Sequence, residues 1–230
     1  MNKKLTLYKG ENMDNNMINR FLKVDPATIG HYIEGGFMKP KMKPINKHSK
    51  MVGPAYPVRI IGKDSAALYK ALKTAPKGSV IVIDRGGDEV FACVGEMVAL
   101  LAQCQGYRGI VIDGPATDSL AIAQLDIPVF CTGISAVTTN VLGVTGSYGE
   151  PVNCSGVYVK QGDIVFGDAD GVIVFPEERA EELLTRAEDS VSREVELREH
   201  FKAGGFAKID IDKLIDSNVI NYINELKKLN

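Results

Sequence analysis

No surplus of positive charge marks this chain. Its 230 residues carry 27 Lys and Arg against 29 Asp and Glu, a formal net charge of -2, and its pI is about 6.0. A protein that neutralises phosphates needs the opposite balance, so nucleic acid is not an expected partner. The one basic stretch, residues 39–50 with Lys39, Lys41, Lys43, Lys47 and Lys50, is interrupted by Pro40 and Pro44. It reads as a solvated loop. Paired cysteines are also lacking. Cys93, Cys104, Cys131 and Cys154 form no CxxC motif and mostly have apolar neighbours, so they read as buried thiols of a reducing compartment and not as a disulfide framework or zinc site. No apolar run has the length of a membrane span, and the polar residues 1–19 contain no signal-peptide core. The expectation is a cytoplasmic protein with no membrane partner.

The composition that remains is 45% hydrophobic and 24% charged, enough for a substantial core in one domain of ordinary size. Residues 1–13 read as a polar tail. Met17, Ile18, Phe21 and Leu22 suggest a short helix, and Asp25-Pro26 opens another. An apolar strand over 58–61 and an amphipathic helix over 64–74 follow. Then two buried strands, SVIVID over 79–84 and GIVID over 109–113, alternate with helices over 95–105 and 118–125, and a third strand covers 128–131. That alternation argues for a parallel sheet. Residues 133–150 read as a long loop. Short strands are expected over 157–159, 164–166 and 172–175, the last two joined by an Asp-Gly turn that contains Asp168 and Asp170. A charged helix follows from Pro176 to about residue 202, and a last amphipathic helix over 209–229. The organisation is a tail (1–13), one α/β domain (14–205) and a helical extension (206–230).

In open α/β sheets, ligands bind beyond the carboxyl ends of the strands. Here Glu96 and Asp118 open the helices that follow the two buried strands, where free N–H groups and the helix dipole favour anions. Two carboxylates with water suit magnesium or manganese. Alternatively, Asp118 is an ordinary N-cap and Glu96 an exposed residue at a helix start. His31 reads as a packing residue, and His48 and His200 as solvated. Ser135 and Ser147 have no recognisable His-acid partners. Gly143, Gly146 and Gly149 lack the Lys-Ser or Lys-Thr of a phosphate loop, and no glycine-rich loop suited to S-adenosylmethionine follows the first strand.

Residues 79–118 (SVIVIDRGGDEVFACVGEMVALLAQCQGYRGIVIDGPATD), Pro128-Val129-Phe130, Thr132-Gly133 and residues 151–176 (PVNCSGVYVKQGDIVFGDADGVIVFP) resemble the RraA-like family, which includes the 4-hydroxy-4-methyl-2-oxoglutarate aldolases. The resemblance covers roughly residues 20–200. It implies a swivelling-type β/β/α sandwich, assembled as a trimeric ring or hexamer, and a divalent-metal-dependent lyase acting on a small 2-oxo acid. By the same resemblance, Asp118 would bind the metal directly and Glu96 through water, while the amides of Glu96, Met97, Val98 and Ala99 would cradle the substrate carboxylate. One position departs from the family pattern: Thr117 stands where the aldolases have an arginine, and a hydroxyl donates one hydrogen bond without supplying charge. Arg85, after the preceding strand, either reaches the site to supply it or is an ordinary surface or interface residue. The family also contains RraA regulators, which inhibit an RNA-degrading endonuclease by protein contact, so a non-catalytic binding role is the alternative.

Overall fold

The computed structural model describes residues 13–205, together with Ile215, Asp216 and Ile220. Nearly all of the expected helix over 209–229 and of the expected tail therefore lies outside the described residues. The chain divides into two compact units, Met1–Glu188 and Asp189–Asn230. All the described strands belong to the first, and the division falls inside one long helix.

Helix α1 (Asn15–Phe21) starts where Asp14 accepts the amide of Met17 at 2.7 Å, and α2 (Pro26–Gly30) starts with proline at its first position. Strand β1 (Lys43–Pro44) forms within the basic stretch and pairs antiparallel with β5 (Val129–Ile134). The next strand, β2 (Met51–Arg59), begins well before the expected position. Pro54 and Pro57 hide it, because proline removes a ladder donor. The strand tolerates both because it changes partners. Residues 51–54 pair antiparallel with β9 (Ile164–Asp168), whereas 55–59 pair in parallel with β3 (Val80–Asp84).

From there the expected alternation holds: α3 (Ala66–Thr74), β3, α4 (Glu96–Cys104), β4 (Gly109–Ala116), α5 (Ser119–Ile122), β5. Gly106 ends α4 with φ +81°, the left-handed stop that glycine allows. The sheet order is β1-β5-β4-β3-β2-β9-β10, with β6 (Ser147–Tyr148) also on β2. The expected long loop therefore contains one short strand. β9 and β10 (Gly171–Phe175) form the expected hairpin, with the Asp170 amide bonded to Asp168 Oδ1 at 2.9 Å. A separate hairpin, β7 (Val152–Cys154) and β8 (Val157–Val159), adds a strand that the sequence pattern missed.

The central strands are covered on both faces. Val58, Ile81, Ile83, Ile110 and Ile112 pack with Leu68, Leu72, Val98 and Ala99 of the helices. On the opposite face, Val80, Val82, Val111 and Phe130 meet Cys154, Val157 and Val159 of the small hairpin. Burial on both sides explains why these strands read as continuous apolar runs. The final helix, α6 (Ala180–Lys202), buries Ala180, Leu183, Leu184 and Ala187 within the first unit. In the second unit, its described residues carry the surface ion pairs Arg198–Glu194 and Lys202–Glu199.

Phe21 holds α1 to the sheet. It is fully buried, 5.5 Å from the ring of Phe166 and 6.1 Å from that of Phe175. Phe21→Ala is expected to cost about 3–5 kcal/mol, measured as a lower urea midpoint at unchanged slope. A loss below about 1 kcal/mol would mean that α1 contributes little to the core.

Candidate active site

Strands β3 and β4 run in register to Asp84 and Asp113, so the segments after them emerge side by side at one end of the sheet. After β4 the chain turns sharply, and Asp118 takes a left-handed conformation, φ 52° and ψ 37°. A non-glycine residue pays on the order of 1–2 kcal/mol for this, and such strain persists where surrounding contacts enforce it. The contact here is specific. Asp118 stands at the N-cap position of α5 but makes no side-chain cap bond there. Its Oδ2 instead accepts the amide of Glu96, 3.1 Å away, at the start of α4. The reading of Asp118 as the ordinary cap of its own helix is thereby corrected: its carboxylate serves the neighbouring helix, whose N-cap, Gly95, has no side chain to offer.

Gly95 is glycine for space. Its backbone is extended, but a Cβ there would collide with Asp118 Oδ2 and come within 2.8 Å of Thr117 Cγ2. The amide of Thr117 donates to Val94 O at 2.9 Å, and that of Ser135 to Ala116 O at 2.9 Å. The segments around 94, 117 and 135 are therefore tied edge to edge.

Within the first turn of α4, the Ala99 amide is engaged with Gly95 O at 3.0 Å and the Glu96 amide with Asp118. Of the four amides expected to cradle a carboxylate, two are thus occupied. Those of Met97 and Val98 make no hydrogen bond among the described residues and face the positive end of the helix. The Glu96 side chain is exposed, and its carboxylate forms no ion pair among the described residues.

Beside these groups lies a cleft of about 350 Å³, lined by Cys93, Gly95, Met97, Val98, Thr117 and Asp118, with Thr138, Thr139, Asn140 and Val141 as the facing wall. The pattern of apolar runs gave no sign of that wall. Burial pushes the Cys93 thiol up to about 12, so it is protonated and no nucleophile near neutrality.

Arg85 does not line the cleft. Its side chain is fully buried, which removes the surface alternative, and Nη2 donates to Gly62 O, Asp88 Oδ2 and Phe91 O at 2.9, 2.6 and 3.1 Å. Its Nε and Nη1 have no hydrogen-bond partner among the described residues. His31 is exposed, which removes the core half of the core-or-interface packing expected of it, and His48 and His200 are exposed as well. Cys104 is exposed as well, while the other three cysteines are buried and all four are free. Among the described residues, no group of three or more His, Cys, Asp or Glu forms a ready metal cage.

Gly95→Ala is expected to push Asp118 off the Glu96 amide and to cost about 1–3 kcal/mol, read from urea unfolding. Stability equal to wild type would show that the approach of residue 118 to α4 is looser than described.

The RraA-like family (aldolase/RraA) matches residues 28–174. A protein of Halalkalibacterium halodurans that carries the provisional name 4-hydroxy-4-methyl-2-oxoglutarate aldolase is 35% identical over 171 residues, 74% of this chain and 81% of its own. Among solved structures, the Streptomyces coelicolor protein RraAS2, titled an unusual member of the RNase ES inhibitor RraA family, superposes with a TM-score of 0.71 at 25% identity. It covers 81% of this chain and 98% of that one. The RNA-processing inhibitor RraA from Thermus thermophilis gives 0.59 at 25% identity over 64% and 89%. The match spans most of the sheet and both segments that meet at Asp118, and the chain belongs to the RraA-like family.

Proposed function

We propose that this protein is a divalent-metal-dependent lyase of the aldolase or decarboxylase type, acting on a small 2-oxo acid such as 4-hydroxy-4-methyl-2-oxoglutarate or oxaloacetate. The observation that carries the reading is the Asp118 carboxylate. One oxygen is fixed by the Glu96 amide, and the other makes no hydrogen bond among the described residues, at the mouth of a cleft beside two open amides. A lone hard oxygen donor with room for water suits Mg²⁺ or Mn²⁺, which keep several waters, so the residues present fit such an ion. Asp118 would hold it directly and Glu96, in the same first turn as the amides, through water. When bound, the ion supplies Lewis-acid polarisation of the 2-oxo group.

The chain's own groups would do the rest. The amides of Met97 and Val98 bind and orient the substrate carboxylate at the helix N-terminus. Thr117 donates one hydrogen bond to the oxygen on which negative charge develops. A neutral hydroxyl in place of a charged donor forfeits about 3–4 kcal/mol of stabilisation, roughly 10²–10³ in rate. Arg85, buried beneath the β4 turn and paired with Asp88, contributes to the field at the site only from behind the cleft wall. The free cysteines suit a cytoplasmic setting.

We further propose a homo-oligomer, a trimeric ring or hexamer. Its support is the exposed apolar side chains on the segments that build the site: Met97, which lines the cleft, Leu120 just after Asp118, and Val144 beyond the wall are 71%, 87% and 80% exposed, more than a lone monomer has reason to leave in water. One observation favours a second reading, a non-catalytic protein-binding regulator: Thr117 replaces the charged donor that C–C cleavage employs.

Pyruvate release from both substrates, with and without Mg²⁺ or Mn²⁺, separates the two readings. Metal-dependent turnover that Asp118→Ala lowers by at least ~10³-fold supports the lyase, and Thr117→Arg should then raise the rate. No turnover with either ion would sink the lyase assignment for these substrates and favour the regulator. Light scattering of the eluted protein tests the assembly, and a monomer at micromolar concentration would refute it.

A further inference from the structure

The wall opposite Asp118 is a loop that apolar packing does not hold. Val141, Leu142 and Val144 are 61%, 60% and 80% exposed, and Gly143 and Gly146 carry φ of +81° and +94°. A segment of this kind ordinarily samples many conformations. Here its backbone converges on one buried side chain. Asp64, 3% exposed, accepts the amides of Leu142 and Gly143 on Oδ1 at 3.0 and 3.1 Å, and those of Val144 and Thr145 on Oδ2 at 2.6 and 2.8 Å. Oδ1 also accepts the amide of Ala66, 3.0 Å away, in the first turn of α3. One carboxylate thus binds five amides from two segments nearly 80 residues apart. Flanking bonds continue the seam: Asn140 N to Lys63 O at 2.7 Å and Ser65 N to Asn140 O at 2.8 Å.

We propose that Asp64 is a positioning residue of the cleft: Thr138 and Thr139 are tied to Ala92, and Asp64, by fixing residues 142–145 beside the Asn140 seam, holds the Asn140–Val141 end of the wall facing Asp118 and thereby sets substrate affinity. The inference rests on reading that cleft as the substrate site. Asp64 touches neither Asp118 nor the open amides of α4, and acts through the loop alone. The amides that bind it, led by that of Thr145, hold its carboxyl well below the usual carboxylate range. It therefore stays ionised, with both oxygens accepting. An asparagine of the same shape would turn an NH₂ group toward two amide donors and release half of the seam.

The test begins with wild-type amide exchange. The amides of Leu142, Gly143, Val144 and Thr145 are expected to be protected although they lie in a loop, and exchange at the rate of an open chain would overturn the proposal without any variant. In Asp64→Asn, exchange should accelerate over 140–146 while α4 and the central strands keep their protection. KM should rise at least ~10-fold with kcat within about threefold, the signature of lost ground-state positioning. Thr185→Ala, which removes only the Thr185 Oγ1 to Glu181 O bond of 2.9 Å at an exposed position of α6, should leave KM within about twofold. Uniform acceleration of exchange across the chain, or a fall in kcat at unchanged KM, would overturn the proposal. If wild type turns over neither substrate, the lyase reading has failed, and exchange confined to the loop in Asp64→Asn then decides on the anchor alone.

Discussion

The site depends first on the parallel pairing of β3 with both neighbours. Residues 55–59 of β2, 80–84 of β3 and 109–113 of β4 run side by side with no slip. Slip by one residue would exchange the two faces, setting Val80, Val82 and Val111 against the helices and the larger Ile81, Ile83, Ile110 and Ile112 against the small hairpin, a misfit of volume that close packing resists. Arg59, Asp84 and Asp113 consequently stand in one row, and three chain segments leave the sheet at the same level. Asp84 is itself buried beneath the Arg59 guanidinium and accepts the Gly86 amide at 2.6 Å, so the row ends in a fixed polar cap.

From that level the chain has little freedom. β4 continues through Gly114, Pro115 and Ala116, with a register shift against β5 between Ile112 and Pro115, and this shift delivers Thr117 and Asp118 beside Gly95. Gly114 leaves no room for a Cβ, since one would lie 2.6 Å from Arg85 Cγ. Arg85 therefore supports the β4 turn from beneath while Asp118 closes on α4 from above. The left-handed strain at Asp118 is met by a bond to a helix N-terminus, where a carboxylate is most welcome.

Much of this was legible in the sequence, and the rest was not, for physical reasons. Buried strands such as SVIVID and GIVID declare themselves, because two-sided burial leaves no polar position. The carboxylate at residue 118 was legible as a helix-start residue, but not the helix it caps. A short capping side chain reads the same in sequence whether its acceptor serves its own helix or a neighbour's. β2 was partly hidden because Pro54 and Pro57 break the pattern, and only the change of partner along the strand makes them harmless. β7 is no shorter than β8, which was legible, but carries Asn153 at its centre where β8 carries Tyr158, and asparagine is depleted in strands. Arg85 was offered as a surface or rescuing residue, since sequence cannot show a guanidinium held by two carbonyls and a carboxylate in the interior. Asp64 reads in sequence as a helix-start acid like many others, and its four loop partners lie nearly 80 residues away.

The cleft joins a rigid floor to a wall of different construction. The floor, α4 and the β4 turn, is set by core packing and one glycine-sized gap. The wall is set by hydrogen bonds to a buried carboxylate and exposes its apolar side chains. A loop stitched by its backbone leaves its side chains free for other contacts: Val141 lines the cleft, and Leu142 and Val144 are exposed. That freedom is available only because the amides, and not the side chains, carry the fixing bonds.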